Sequence, residues 1–291
     1  MTTASSIKDI PKKRKQSILQ IFFAYGWRHI IGLLVIVYSI FPILYIISTS
    51  LVPNSGIDSS NALFQSISFE NYLNLFNNPD RPFARWYANT LIVGIVTSVL
   101  SVFLSTLAAY AFSRLRFRGR RSGLLSLILI QMFPSVLGLV AIFTILSEVG
   151  RTFPLLGLNS TLGLIFAYLG GSLGTGTYLM YGFFNTVPVE IDEAAKIDGA
   201  THTQIFYTII LPLVTPILAV NSLLSFIGIT SDFILASVVL SQPDTMTLAV
   251  GLQSLVSDPF SKEWAQFCAG AVLSAIPVVA LFLYLQRYII S

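Results

Sequence analysis

Long apolar segments separated by short polar stretches form the main pattern along this chain. A helix needs roughly 20 apolar residues to cross a bilayer. Six segments are long enough: Ile30–Leu51, Asn89–Phe112, Gly123–Ser147, Thr161–Phe184, Leu211–Phe233 and Phe267–Ile289. Backbone polar groups cannot face lipid unsatisfied, so each segment predicts a helix. The pattern therefore predicts an all-α membrane protein with six transmembrane helices.

The basic residues predict the orientation of these helices. Of the 17 Lys and Arg residues, 13 fall in the N-terminal tail, the loop at 114–121, the polar loop at 185–212 or the C-terminus. The positive-inside rule therefore places both termini and the polar loop in the cytoplasm. Residues 1–29 are predicted to be a cytoplasmic tail, and residues 30–290 a transmembrane domain with its core at about 85–288. The first segment is too long and begins too late for a cleaved signal peptide.

Composition agrees with a membrane protein and excludes other classes. Only 10% of the residues are charged and the mean hydropathy is +0.77, whereas a soluble domain carries about a quarter charged residues. The net charge of +4 does not indicate nucleic-acid binding, because the positive-inside orientation of the chain in the lipid membrane already accounts for the excess of basic residues. The single cysteine, Cys268, cannot form an intrachain disulfide.

The polar loop at 185–212 carries the most informative motif. It contains Glu193-Ala194-Ala195, and Gly199 follows after three residues. After nine further residues come Ile209, Leu211 and Pro212. The motif region also includes Asp198 and Ala200.

Local rules predict two short helices that meet at a bend in this loop. Pro188 suits a helix start, Gly199 suits the left-handed conformation that ends a helix, and Thr201 to Gln204 has the form of a capping box. Asp192 and Lys196 are four residues apart, so we expect them to pair on the exposed face. We also expect Ile191, Ala194 and Ala195 to lie on one side of the first helix.

The spacing of this motif resembles the EAA loop of ABC importer permeases. That resemblance implies that the loop docks on a separate ATPase subunit. The residues that it assigns to ATPase coupling are Glu193, Ala194, Ala195, Asp198, Gly199, Ala200, Ile209, Leu211 and Pro212. ATP and Mg would bind to the partner ATPase, and no cofactor or catalytic site is expected on this chain.

From Tyr178 to Tyr288 the chain is similar, more narrowly, to MalG-type permeases of maltose and maltodextrin importers. Asp192–Ala200, Thr247–Leu252 and the ending Leu285-Gln286-Arg287-Tyr288 carry this likeness. The family implies a type I ABC importer permease (MetI-like) bundle in a bacterial inner (cytoplasmic) membrane, importing a maltodextrin-like oligosaccharide. Its partners would be a second homologous permease in a heterodimer, two ATPase subunits and an extracytoplasmic sugar-binding protein. Members usually continue past the Gln-Arg pair in a Gly-rich tail, whereas this sequence stops at Ser291, so coupling is expected to rest on the EAA loop.

Polar residues within the apolar segments are weaker candidates. Gln131 and Asn221 could hydrogen-bond sugar hydroxyls in a pathway, and interhelical hydrogen bonding is equally open. Asp232, near the outer end of its segment, is expected to be solvated. The glycine-rich run at 170–176 lacks the Lys of a phosphate-binding loop and is expected to support close helix packing.

The last outer loop, at about 234–266, is the candidate contact for the binding protein. Its semi-apolar stretch predicts a short surface helix, and the candidate contact residues are Thr247, Leu248, Val250 and Gly251. The alternative is that this stretch merely caps the helix bundle.

Two other functions stay open from the sequence. One is an ABC importer permease for a non-sugar solute. The other is a secondary transporter driven by an ion gradient, which would be expected to carry carboxylates near the middle of the bilayer. The predicted segments contain almost none.

Overall fold

The computed structural model describes residues 26–53, 63–257 and 263–289, and this part of the chain is helical without strands. The helices are α1 (Trp27–Leu51), α2 (Glu70–Asn77), α3 (Phe83–Arg114), α4 (Arg120–Gln131), α5 (Ser135–Thr152), α6 (Thr161–Phe184), α7 (Val189–Ile197), α8 (His202–Leu213), α9 (Thr215–Thr230), α10 (Ile234–Val239), α11 (Leu248–Ser257) and α12 (Trp264–Ile289). A 3₁₀ turn, Pro154–Leu156, lies between α5 and α6.

The predicted all-α membrane fold is confirmed. Within the described ranges, α1, α3, α5 and α12 are each long and apolar enough to cross a membrane. The pair α8 and α9 would make a fifth span if it is counted as one, although it bends by 77°. The fourth predicted segment coincides with α6, a helix of 24 residues.

Two predicted spans are wrong as single straight helices. The segment Gly123–Ser147 is broken between α4 and α5, because Pro134 lacks an N–H group and its ring clashes with the preceding helical turn. The segment Leu211–Phe233 is broken at Val214, and α9 ends at Thr230. Proline at the start of a helix is tolerated, so Pro216 in the first turn of α9 is compatible with this break.

The chain divides into two compact units, Met1–Ile46 and Ile47–Ser291. The first contains the apolar residues 27–46 of α1, and most of the predicted tail at 1–29 lies outside the described residues. The second contains the other helices. The functional candidates all lie in the second unit.

In the second unit, α3 packs most extensively against α6 and α9. One face of α3 carries small buried residues at helical spacing: Thr90, Gly94, Thr97, Ser101 and Ser105. Small residues allow helix backbones to approach closely in a membrane, where apolar burial alone does not drive association.

The glycine-rich run of α6 takes part in this packing at two positions. A side chain on Gly176 would overlap the Ser105 hydroxyl, and one on Gly174 would overlap the Gln131 side chain. By contrast, Gly170 and Gly171 have no neighbouring atoms that a side chain would meet. The predicted packing role therefore holds for the second half of the run.

A hydrogen bond from α3 compensates for the proline inside α12. Pro277 cannot donate to the carbonyl of Leu273, four residues earlier. The Tyr87 hydroxyl donates to that carbonyl oxygen instead, at 3.2 Å. The neighbouring helix thus satisfies the group that the proline leaves free.

We predict that Tyr87→Phe lowers the free energy of unfolding by about 1 kcal/mol, the usual net value of one hydrogen bond. The ring is retained, so the loss reports the hydroxyl alone. Unfolding in detergent micelles measures it. In a Pro277→Ala background the cost should shrink, because the substituted residue would supply its own N–H to the Leu273 carbonyl. Tyr38→Phe is the control, since Tyr38 is 83% exposed; an equal cost in both backgrounds would contradict the assignment.

Candidate functional site

The polar loop folds as predicted, into two helices that meet at a sharp bend. Helix α7 follows Pro188 and ends at Ile197. Gly199 has φ +85°, and its N–H donates to the Lys196 carbonyl at 3.0 Å while the Ala200 N–H donates to the Ala195 carbonyl at 2.9 Å. These two bonds form a Schellman motif, in which glycine takes the left-handed position.

The second helix of the loop begins with the predicted capping box. The Gln204 N–H donates to the Thr201 hydroxyl at 3.3 Å, and the Thr201 N–H donates to the Gln204 side-chain oxygen at 2.8 Å. Helix α8 then passes through a π-helical segment, Ile205–Ile210. Sequence rules did not predict this segment; π-helical turns lack a distinctive sequence signal and often occur at functional sites.

Helix α7 presents one polar and one buried face. Seven of its nine residues are exposed, and four of them recur at the i, i+3, i+4 and i+7 spacing of a single helix face: Glu190, Glu193, Ala194 and Ile197. The opposite face buries Asp192 and Ala195. Of the three residues expected on one side of this helix, Ala195 is buried, whereas Ile191 and Ala194 are exposed.

The other motif residues divide in the same way. Asp198, Gly199 and Pro212 are exposed, whereas Ala200, Ile209 and Leu211 are half-buried. Ala200, Ile209 and Leu211 pack on an apolar cluster that contains Tyr110, Phe184, Ala195, Ile205, Phe206 and Ile210. The motif thus combines an outward surface at the bend with inward anchors on either side of it.

The predicted ion pair between Asp192 and Lys196 is not formed; Asp192 pairs with Arg114 instead. The Arg114 Nε atom lies 2.5 Å from an Asp192 carboxylate oxygen, and both side chains are only 4% exposed. A buried carboxylate requires a cation, and the end of α3 supplies one that local spacing within α7 does not reveal. The available sequence signal was an arginine at the end of an apolar span beside an acidic loop helix.

The C-terminal end of α3 contacts both halves of the loop, one on each side of the bend. The Arg114 Nη2 atom donates to the Val187 carbonyl oxygen at 2.8 Å, just before α7. The Tyr110 hydroxyl donates to the His202 carbonyl oxygen at 3.4 Å, at the start of α8. The Tyr110 ring also meets the Phe206 ring edge-on, with centroids 5.0 Å apart.

The two pathway candidates lie on different sides of α6. Gln131 is exposed and accepts a hydrogen bond from the Thr175 hydroxyl at 2.5 Å. Asn221 is 5% exposed, and its Nδ2 atom has no hydrogen-bond partner among the described residues. It lies beside Gly176. The structure therefore does not bring Gln131 and Asn221 together.

The outer candidates are held against α3. The Trp86 Nε1 atom donates to the Pro243 carbonyl oxygen at 2.7 Å, and the Leu248 N–H donates to the Thr90 hydroxyl at 2.7 Å. A side chain on Gly251 would overlap the Trp86 ring. The predicted helix is present as α11.

All four outer candidates are buried: Thr247, Leu248, Val250 and Gly251. These residues fix the position of α11 and do not form its outward surface. The exposed residues of this helix are Gln253, Ser254 and Ser257.

Asp232 is more than a solvated residue at a helix end. It is half-buried and accepts a hydrogen bond from the Tyr168 hydroxyl at 2.7 Å. It also accepts from the Leu235 and Ala236 N–H groups, at 3.1 and 3.2 Å, and so caps α10. In the described part of the chain, no group of three or more His, Cys, Asp or Glu residues could hold a metal ion.

Most of the chain matches a known protein family. Residues 101–290 match the family model described as "Binding-protein-dependent transport system inner membrane component". This range contains the bend, its anchors on α3 and the last outer loop, at about 234–266, which we name the outer segment.

Two curated relatives and one solved structure agree with this match. The maltodextrin transport system permease protein MdxG of Bacillus subtilis is 43% identical over 209 residues, covering 72% of this chain and 73% of the relative. The galactooligosaccharides transport system permease protein GanQ of the same species is 37% identical over 253 residues, covering 87% of each.

The solved structure is that of a bacterial ABC transporter involved in the import of the acidic polysaccharide alginate. One of its chains is 26% identical, with a TM-score of 0.74, and the alignment covers 94% of this chain and 98% of that chain. The resemblance to maltodextrin-type permeases is confirmed by these comparisons. The chain belongs to the family of binding-protein-dependent transport system inner membrane components, the membrane-spanning permeases of ABC importers.

Proposed function

We propose that this chain is the permease subunit of an ATP-driven importer for a maltodextrin-like oligosaccharide. It forms half of the translocation pathway and carries no catalytic site of its own. ATP would be hydrolysed on partner subunits, and the bent loop at 185–212 would receive the resulting movement. The observation that carries this proposal is the outward surface of that loop.

That surface has the chemistry of a protein contact. Ile197, at the end of α7, is 87% exposed, in a loop whose neighbouring residues are polar. Exposed apolar groups rimmed by polar residues mark interaction sites. Glu193, Ala194, Asp198 and Gly199 surround it along the helix and the bend. We name Ile197 and these four residues the docking surface and propose that this surface fits a cleft on an ATPase subunit.

The assembly would contain two different permeases, two ATPases and an extracytoplasmic sugar-binding protein. The basic residues support cytoplasmic termini and a cytoplasmic docking surface, in a multi-pass protein of a bacterial inner membrane. Residues 1–29 would form the cytoplasmic tail and residues 30–290 the transmembrane domain. The outer segment would meet the binding protein through the exposed residues of α11, positioned by its buried ones.

An oligosaccharide is favoured because both curated relatives are named for oligosaccharide transport systems. Gln131 of α4 and Asn221 of α9 are then proposed contacts for sugar hydroxyls, and they face different sides of α6. A gradient-driven transporter is disfavoured, because α1, α3, α6, α9 and α12 contain no Asp or Glu. In α5 the acidic residue is Glu148, which lies near the end of the helix and pairs with Arg151. Such transporters use intramembrane carboxylates for ion coupling.

The direct test is uptake by liposomes that contain the complete complex and its binding protein. We expect ATP-dependent accumulation of a labelled maltodextrin, and little uptake with a nonhydrolysable ATP analogue. Uptake of a galactooligosaccharide but not of maltodextrin would show that the proposed substrate is wrong. Uptake driven by a proton or sodium gradient without ATP would overturn the proposal.

Gly199→Asp should abolish uptake while leaving the protein in the membrane. A side chain at φ +85° costs roughly 1–2 kcal/mol, and the added carboxylate changes the docking surface. Uptake and ATP hydrolysis by the purified complex measure the effect. Gly182→Ala is the control, since that position has open space around it. Persistent uptake by Gly199→Asp would rule out the bend as the coupling element.

Crosslinking tests the docking surface itself. In a Cys268→Ala background, Ala194→Cys should crosslink to the ATPase subunit, because Ala194 is exposed. Ala195→Cys is the matched control one residue away, and its side chain is 8% exposed, so it should not react. Equal crosslinking from both positions, or from neither in an active complex, would contradict the proposed surface.

A further inference from the structure

We infer that the ion pair between Arg114 and Asp192 is the tie that transmits movement of the docking surface to helix α3. This inference rests on the proposed function. Arg114 and Asp192 would act as positioning residues: neither belongs to the docking surface, and neither is expected to touch ATP or sugar.

Burial makes this pair a strong constraint. Both side chains are 4% exposed and their charged atoms are 2.5 Å apart. Removing one partner leaves an uncompensated buried charge, which is far more disruptive than removing both. Because the pair is shielded from solvent, water cannot take the place of a missing partner.

The surrounding charges offer no substitute. Glu190 and Glu193 are exposed and acidic. Lys196, one turn from Asp192, is also exposed to solvent. Among the described residues, neither Asp192 oxygen receives a hydrogen bond, so the carboxylate depends on the Arg114 cation. The same guanidinium also holds the Val187 carbonyl, which adds a second attachment at the start of α7.

The position of the pair suits transmission of force. It joins the middle of α7 to the last residue of α3, a helix of 32 residues. From there α3 continues to Thr90 and Trp86, which hold the outer segment. One rigid helix therefore connects the docking surface with the outer face, and a long packed helix moves as a unit.

Apolar packing alone would resist sliding less well. The cluster around Tyr110 and Phe206 presses the loop against α3, but apolar contacts are not directional. The buried ion pair holds the distance between the two charged groups, and the hydrogen bond from Arg114 Nη2 to the Val187 carbonyl oxygen holds the orientation of the guanidinium.

The test measures ATP hydrolysed per sugar transported, in liposomes that contain the complete complex. The variants are Asp192→Asn, Arg114→Gln, and the apolar double variant Arg114→Met with Asp192→Leu. The control pair is Glu148 and Arg151, which form an exposed ion pair at 3.0 Å; Glu148→Gln and Arg151→Gln should leave the ratio unchanged. The amount of assembled complex is measured in parallel by co-purification of the ATPase.

We expect each single variant to raise the ratio at least about tenfold and to reduce assembly, since it leaves a buried charge unpaired. The double variant should recover assembly to within about twofold of wild type, because an apolar pair avoids that unpaired charge. Its ratio should still be raised, because the tie is lost. A role confined to folding would lower the amount of complex without changing the ratio.

The outcomes separate the two claims. A wild-type complex that couples ATP to uptake, together with a double variant of normal ratio, overturns the tie and leaves the proposed function standing. Single variants with normal ratios overturn it as well. A wild-type complex that binds no ATPase and shows no ATP-driven uptake overturns both.

Discussion

The buried contact between Arg114 and Asp192 determines how the polar loop presents itself. A carboxylate in apolar surroundings must be neutralised, and only the guanidinium at the end of α3 does so in the described structure. This requirement turns one face of α7 inward. The acidic and apolar residues on the opposite face, with Ile197 among them, are then exposed together. The docking surface is thus a consequence of a charge that had to be buried with its partner.

A second constraint acts within the membrane-spanning helices. Since lipid is as apolar as the helices themselves, close packing of small residues has to replace the hydrophobic driving force. The seam of small residues on α3 provides that contact with α6 and α9, and it leaves a few buried polar atoms such as Asn221 Nδ2 without partners among the described residues. Helix α3 carries this seam and also contacts the bent loop and the outer segment. It is therefore the central structural element of the second unit.

Family membership accounts for the class of protein but not for the path of force inside it. The matched range, 101–290, begins within α3 and includes the docking surface. What the structure adds is the connection between α3 and the docking surface. Arg114 attaches α3 to α7, and Tyr110 attaches α3 to α8. These attachments would carry the proposed movement of an ATPase subunit from the bend into α3.

The sequence alone determined the helical class, the positions of the apolar segments and the bend at Gly199, because apolar length, capping residues and left-handed glycine act over a few neighbouring residues. It also identified the family, through spacing in one loop. Tertiary structure decided the burial of Thr247, Leu248, Val250 and Gly251 and the partner of Asp192. Local rules favoured Lys196, four residues away. Arg114 is close only after α3 and α7 have packed, and long-range packing decides which of two plausible charges a buried carboxylate meets.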